Sequence, residues 1–176
     1  MKKLLSIVLA VLMLVSTFAL VSCQDDGKYT VGICQLVTHP ALDQATQGFK
    51  DAVIAGLGAE NVEFIEQNAG NDIPLCTTIA NDFVSKNVDL IMANATPALQ
   101  AAASATVDIP ILGTSVTEYG VALGLDDFSG TVGGNVSGTS DAVPFDEQAK
   151  MMIETLGLVP GDQVGVLYCT NESNSL

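Results

Sequence analysis

The stretch DLIMANATPALQAAASATVDIPILGTS, residues 89–115, decides the fold. It opens with a short apolar run, Asp89 to Ala93, and passes through a polar tip, Asn94-Ala95-Thr96. An alanine-rich segment from Pro97 to Ala105 follows, and a second apolar run, Ile109 to Leu112, comes after Asp108. Proline is tolerated in a first helical turn and alanine is the best helix former, so the middle reads as a helix between two strands. Consecutive strands joined through a helix pair in parallel, by a right-handed crossover.

The same alternation extends outward in both directions. Tyr29 to Leu36 reads as a first strand, and Pro40 to Leu57 as a helix with Leu42, Ala45, Phe49, Ala52, Val53 and Leu57 at helical spacing. Asn61 to Glu66 is a second strand, followed by a helix from about Pro74 to Lys86. A glycine-rich passage, Gly113 to Gly138, leads to a helix over Asp146 to Leu156 and an apolar strand over Gln163 to Tyr168. The pattern predicts an α/β chain, a parallel sheet flanked by helices on both faces.

In such sheets ligands lie beyond the carboxyl ends of the strands. The rule selects Leu36-Val37-Thr38-His39, Asn68-Ala69-Gly70, Asn94-Ala95-Thr96 and Gly113-Thr114-Ser115. These tips are rich in hydroxyls, amides and glycine and poor in charge, which suits hydrogen-bonded capture of a small polar solute better than proton transfer. Thr96, just before Pro97, reads as a helix N-cap, so the amides of the next turn would face an anionic group such as a carboxylate. Taken singly, each tip has the plainer reading of a cap or a turn; the functional reading depends on all four gathering on one rim.

The chain begins with Lys2 and Lys3, an uncharged apolar stretch from Leu4 to Val21, and the small Ser22. That layout over residues 1–22 is an export signal, with a permanent anchor helix as the alternative. Leu20-Val21-Ser22-Cys23 resembles the lipobox of bacterial lipoproteins. The resemblance implies that Cys23 carries lipid and tethers the chain to the membrane, with residues 23–28 as a leash.

After Cys23 the chain carries four lysines, no arginine and all 20 acidic residues, a net charge of −16. Nucleic-acid binding is excluded, because phosphate neutralisation needs clustered Lys or Arg. Cys34, Cys76 and Cys169 are odd in number and far apart in sequence, and His39 is the single histidine. They read as buried small apolar residues, with one disulfide as the alternative, and no metal or other cofactor is expected.

Enzymatic fingerprints are missing. Gly130 to Asn135 does not follow the G-x-G-x-x-G pattern, no G-K-[ST] or G-x-S-x-G occurs, and Asp126-Asp127 sits in a polar loop.

Five blocks carry a further resemblance: QNAGND (67–72), ATPALQAAA (95–103), ILGTSVTEYG (111–120), GTVGGNVSGTSD (130–141) and VGVLYCTNESNS (164–175). Together they resemble the ABC-transporter substrate-binding lipoproteins of the type I periplasmic-binding-protein fold, in the branch that captures aromatic amino acids. The resemblance implies two lobes that close on a small solute and dock on an ABC permease with its ATPase. A receptor that senses the solute would use the same capture.

On this layout residues 29–138 form an N-terminal lobe, 139–141 cross the hinge, and 142–176 begin a C-terminal lobe. Two lobes need roughly 300 residues, so a chain ending at Leu176 reads as a fragment or a truncated frame. The ligand-binding residues implied are Thr38, His39, Asn68, Asn94, Thr96, Ser115, Thr117, Asp141, Glu172 and Asn174. Thr96 and Ser115 would hold a carboxylate, and Asp141 an α-ammonium, with Glu172 or Asn174 adding from the second lobe. Asp141 also reads as the N-cap of the helix near Pro144. Tryptophan is absent, and Tyr119, Phe64 and Phe145 are poor stacking partners, so aliphatic, polar and peptide-like solutes stay open.

Overall fold

A computed structural model describes residues 27–168 and residue 170. The export signal, Cys23, Cys169, Glu172 and Asn174 lie outside the described residues. Five strands, β1 (Tyr29–Gln35), β2 (Val62–Asn68), β3 (Leu90–Asn94), β4 (Ile111–Val116) and β5 (Val136–Ser140), form one sheet in the order β2-β1-β3-β4-β5. Every neighbouring pair is parallel. The helices are α1 (Pro40–Leu57), α2 (Ile73–Ser85), α3 (Thr96–Ala105), α4 (Tyr119–Leu123) and α5 (Phe145–Leu156).

The strand order and crossover handedness together assign the faces. The step from β1 to β2 runs one way across the sheet, and the steps from β2 through β5 run the other way. With right-handed connections, α1 covers one face and α2, α3 and α4 the opposite one. Side-chain parity agrees. Val31, Ile33 and Met92 pack with Phe49 and Val53 of α1, whereas Cys34, Ile91 and Ala93 join the buried residues of α2 and α3.

The α2 face holds the larger core. Cys76, Ile79, Ala80 and Phe83 recur at helical spacing along α2 and are all buried. Phe83 lies against Gly32 of β1, where a Cβ would sit 2.7 Å from its ring. Glycine at that point lets the helix approach the strand. The alanines of α3, with Leu99, do the same over β3 and β4; Ala98, Leu99 and Ala102 have no exposed surface.

The α1 face is thinner. Between α1 and the ends of β3, β4 and β5 runs an apolar groove of about 370 Å³, lined by Ala45, Phe49, Met92, Leu112 and Thr139 among others. Helix α5 forms where the sequence places it, yet Phe145, Met151, Ile153 and Leu156 remain exposed on it.

Two expectations are corrected. The glycine-rich passage holds α4 and the edge strand β5, which continues to Ser140, inside the expected crossing segment 139–141. Short elements interrupted by glycine leave too little periodicity to be read. Conversely, Gln163 to Tyr168 forms no strand; Val166 is 82% and Leu167 100% exposed. An apolar run becomes a strand only when it is paired, and Gln163 to Tyr168 pairs with neither edge of this sheet, β2 or β5.

Phe83→Ala should lower unfolding free energy by roughly 3–5 kcal/mol, because the ring fills the space above Gly32 and cannot be replaced by collapse. Urea denaturation followed by circular dichroism measures this, and a loss below about 1 kcal/mol would contradict the packing described.

Candidate functional site at the strand ends

Because all five strands run the same way, their carboxyl ends share one edge of the sheet. Backbone hydrogen bonds then continue past the strands and join loop to loop. Ala69 N donates to Gln35 O (2.8 Å), Asn71 N to Leu36 O (2.8 Å) and Leu36 N to Asn94 O (3.2 Å). Ala95 N donates to Thr114 O (3.0 Å), and Asp141 N to Val116 O (3.1 Å). The strand ends are thereby joined along one rim, in the order of the strands beneath them, although not every predicted side chain faces it.

Thr38, His39 and Asn68 stand together at one end of the rim, all exposed. Asn68 Nδ2 donates to Thr38 Oγ1 at 3.2 Å, while Asn68 Oδ1 accepts from Gly70 N at 2.8 Å. His39 is the N-cap of α1, its Nδ1 accepting from Ala41 N at 3.2 Å. Half-buried Ser115 is the penultimate residue of β4, so the expected tip Gly113-Thr114-Ser115 lies within the strand rather than beyond it. Half-buried Thr117 follows β4, and exposed Asp141 follows β5.

Asn94 is removed from the rim. It has no exposed surface, and its Nδ2 donates inward to Leu42 O (2.8 Å) and Thr46 Oγ1 (2.9 Å). Thr46 Oγ1 donates to Gln35 Oε1 at 2.6 Å, and Gln35 Nε2 donates to Asp43 Oδ1 at 2.6 Å. The sequence signal, an amide at a strand end, is the same for a ligand contact and for this buried network, which pins α1 to β1 and β3. Asn94 Oδ1 is buried without a hydrogen-bond partner among the described residues.

Thr96 is not the N-cap of α3. It is already helical, and its side chain is turned inward, leaving the residue 5% exposed. The cap position belongs to Ala95, which supplies no side-chain bond. Asp141 does not cap α5 either; that position is Pro144. A cap needs non-helical backbone one residue before the helix, and in both places another residue holds it.

Ala95 has φ 90° and ψ 157°, a conformation populated almost entirely by glycine. Its neighbour across the sheet, Ser115, has φ 55°, where the β4–β5 register shifts. Strain of about 1–3 kcal/mol at such a residue persists only where the surroundings hold it. Here two adjacent tips are held bent, and α3 starts between them without a side-chain cap, so its positive N-terminal end is left at the rim.

The far end of the rim depends on Tyr119, which sequence reading considered only as a stacking ring. Its hydroxyl donates to Thr139 O at 3.2 Å, above the facing glycines Gly113 and Gly138. A Cβ on Gly138 would overlap the Gly113 carbonyl and the Tyr119 hydroxyl. Burial, and next the Asp141 carboxylate, push the Tyr119 pKa above its ordinary value, so it stays a neutral donor. Beside it a hollow of about 500 Å³ opens between Thr117, Tyr119, Phe128, Val132 and Ser140.

No cationic side chain takes part in the rim bonds described. Lys50 pairs with Glu66 (2.8 Å) and Lys86 with Asp82 (2.7 Å). An anionic ligand group would be met by amides, hydroxyls and a helix end. Among the described residues no cluster of three His, Cys, Asp or Glu side chains is placed to hold a metal ion.

A parallel sheet whose strand ends are gathered into one polar rim is the architecture on which a ligand site is expected. Residues 30–176 match the family model of ABC transporter substrate binding proteins, and the chain belongs to that family. It is 40% identical over 191 residues to the tyrosine-binding protein of Clostridioides difficile (strain R20291), covering 99% of this chain and 54% of that one.

Among solved structures, it resembles a conserved domain protein from Vibrio cholerae (TM-score 0.77, 36% identity, 84% of this chain and 49% of that). It also resembles an ABC domain from Streptococcus pneumoniae in complex with L-Trp (TM-score 0.74, 32% identity, 84% and 50%). A third is the ligand-free, open form of a Clostridium difficile substrate binding protein with adhesive properties (TM-score 0.65, 43% identity, 84% and 50%). The chain spans about half the length of each of these relatives.

Ala95→Gly should raise stability by about 0.5–2 kcal/mol, because relief of the strained backbone exceeds the entropy that glycine adds to the unfolded chain. Chemical denaturation measures it. A loss of stability would show that Ala95 is not strained.

Proposed function

We propose that this chain is the first lobe of the solute-binding component of an ABC importer, and that its strand-end rim captures a small amino acid or a related solute. The observation that carries the reading is the rim itself: rich in amides and hydroxyls, stitched by backbone bonds, and bent at Ala95 and Ser115. The family is one of binding proteins rather than enzymes. Relatives described by tyrosine binding and by an L-Trp complex favour an amino acid.

In this reading the ligand carboxylate meets the Ser115 hydroxyl and the first-turn amides of α3, with Thr38, His39, Asn68 and Thr117 around it. Asp141 faces the α-ammonium, and a second lobe, to which Glu172 and Asn174 belong, covers the solute. The aromatic rings considered from sequence do not serve as stacking faces at the rim. Tyr119 is buried, Phe64 packs on the α1 face with Lys50 5.8 Å from its centroid, and Phe145 lies on α5. An aromatic side chain would therefore be received by the second lobe.

The proposed placement is extracytoplasmic, with Cys23 lipid-anchored at the membrane and a permease and its ATPase as partners. Among the described residues no helix is long and apolar enough to cross a membrane.

Closure of two lobes buries most of a small ligand, whereas one lobe leaves half of it in water. Titration calorimetry with L-tyrosine, L-tryptophan and L-phenylalanine should give affinities about a hundredfold weaker for this chain than for a version extended to the two-lobe length of its relatives. L-Tyrosine amide should bind the longer protein at least about tenfold more weakly than L-tyrosine, having lost a charge-assisted anchor. Equal affinities for the two chains would remove the second lobe from the reading, and equal binding of the amide would remove the carboxylate anchor.

A further inference from the structure

Cys34 and Cys76 take no part in the rim, yet they are placed together beneath it. Cys34 is the penultimate residue of β1, and Cys76 lies just past the first turn of α2, after the capping residue Asp72. Both are free thiols with no exposed surface, and both belong to the same buried cluster, with Ala69 and Ile79. The two side chains are close enough for each to perturb the other's ionisation, which makes them neighbours within that cluster. Alanine or valine would fill such positions without bringing two sulfurs into contact.

We propose that Cys34 and Cys76 are a modification site: a dithiol that is oxidised to an intramolecular disulfide, tying the end of β1 to the start of α2. The segment between them includes the rim loop Asn68–Asp72, already bonded to β1 through Ala69 N and Gln35 O. The cross-link fixes that loop from below.

In the packed state the Cys34 thiol beside it favours a thiolate on Cys76, opposed by burial and by the Asp72 carboxylate, and the net direction for Cys76 is downward. The Cys76 sulfur beside it, then burial, then the charge on Cys76 hold the Cys34 proton well above the ordinary thiol range. Once α2 is undocked either thiol can attack first, and the product is the same.

The oxidant is a disulfide, either a small one or the exposed disulfide of a thiol-exchange protein. With Cys76 leading, its sulfur attacks one sulfur of that disulfide, breaking the S–S bond, forming a mixed disulfide and releasing one thiol. Cys34 then loses its proton and attacks the Cys76 sulfur, releasing the second thiol. One protein dithiol and one disulfide thus give one protein disulfide and two thiols. An oxidising compartment, which rests on the extracytoplasmic placement proposed above, favours the oxidised form. Since neither sulfur is exposed, the exchange takes place while α2 is still docking on β1, or when its first turns open.

The test is peptide mapping of the full chain, refolded from urea in a mixture of oxidised and reduced glutathione. Lys28, Lys50, Lys86 and Lys150 place each of the four cysteines in a separate tryptic peptide, so the pairing is read without ambiguity. The expected product is the peptide 29–50 joined to 51–86, with intact mass lower by two hydrogens and Tm higher by at least about 5 °C, reversed by reductant. Cys169→Ser should leave the cross-link intact, and Cys34→Ser should abolish it. Recovery of both thiols in reduced form, stable glutathione adducts, or pairing of either residue with Cys23 or Cys169 would overturn the proposal. The mapping needs no ligand, so its outcome is separate from that of the binding experiments.

Discussion

The backbone ladder does not stop where the strands stop. Five parallel strands end on one edge, and their hydrogen bonds run on through Ala69, Asn71, Leu36, Ala95 and Asp141 into the loops beyond. Every feature assigned to the site depends on that continuation. Parallel pairing places the tips on one side; the ladder then fixes their spacing, so that bent residues such as Ala95 and Ser115 are held rather than relaxed. The polar network of Gln35, Asp43, Thr46 and Asn94 supports the same region from inside, by locking α1 against β1 and β3.

The two faces of the sheet are unequally finished. Phe83, Leu99 and the small residues around them complete a dense core under α2 and α3. On the opposite face α1 stands beside an apolar groove, and α5 carries an uncovered apolar stripe. Both are in keeping with a chain that spans half the length of its relatives.

Much of this order was legible in the sequence. The run from Asp89 to Ser115 gives strand, helix and strand, with the first strand and the helix within one residue of those observed, because alanine propensity and short apolar runs agree there. The second strand was ended at Leu112 but runs on to Val116 through Gly113 and two hydroxyl residues that carry no apolar signal. That the strand ends share one edge followed from the parallel topology alone, although Gly113-Thr114-Ser115, read as a loop, lies inside β4. Where the reading failed, two physical outcomes shared one signal. Asn94 carries a strand-end amide whether it faces a solute or the buried hydroxyl of Thr46, and Thr96 precedes Pro97 whether it caps the helix or begins it. Tyr119 and β5 were hidden in a glycine-rich passage whose meaning lies in contact between facing glycines and a ring, which no periodicity records. Gln163 to Tyr168 has the composition of a strand but pairs with neither edge of the sheet.

The central claim is that solute is held at the carboxyl ends of the strands. It is tested most directly by titrating isotope-labelled protein with L-tyrosine and following backbone amide resonances. Shifts concentrated at residues 37–39, 68–70, 95–98, 115–117 and 141 are expected, with little change near Tyr29, Val62, Leu90 and Ile111 at the opposite ends of the same strands. Saturable shifts centred on those opposite ends, or on the outer surface of α2, would contradict it.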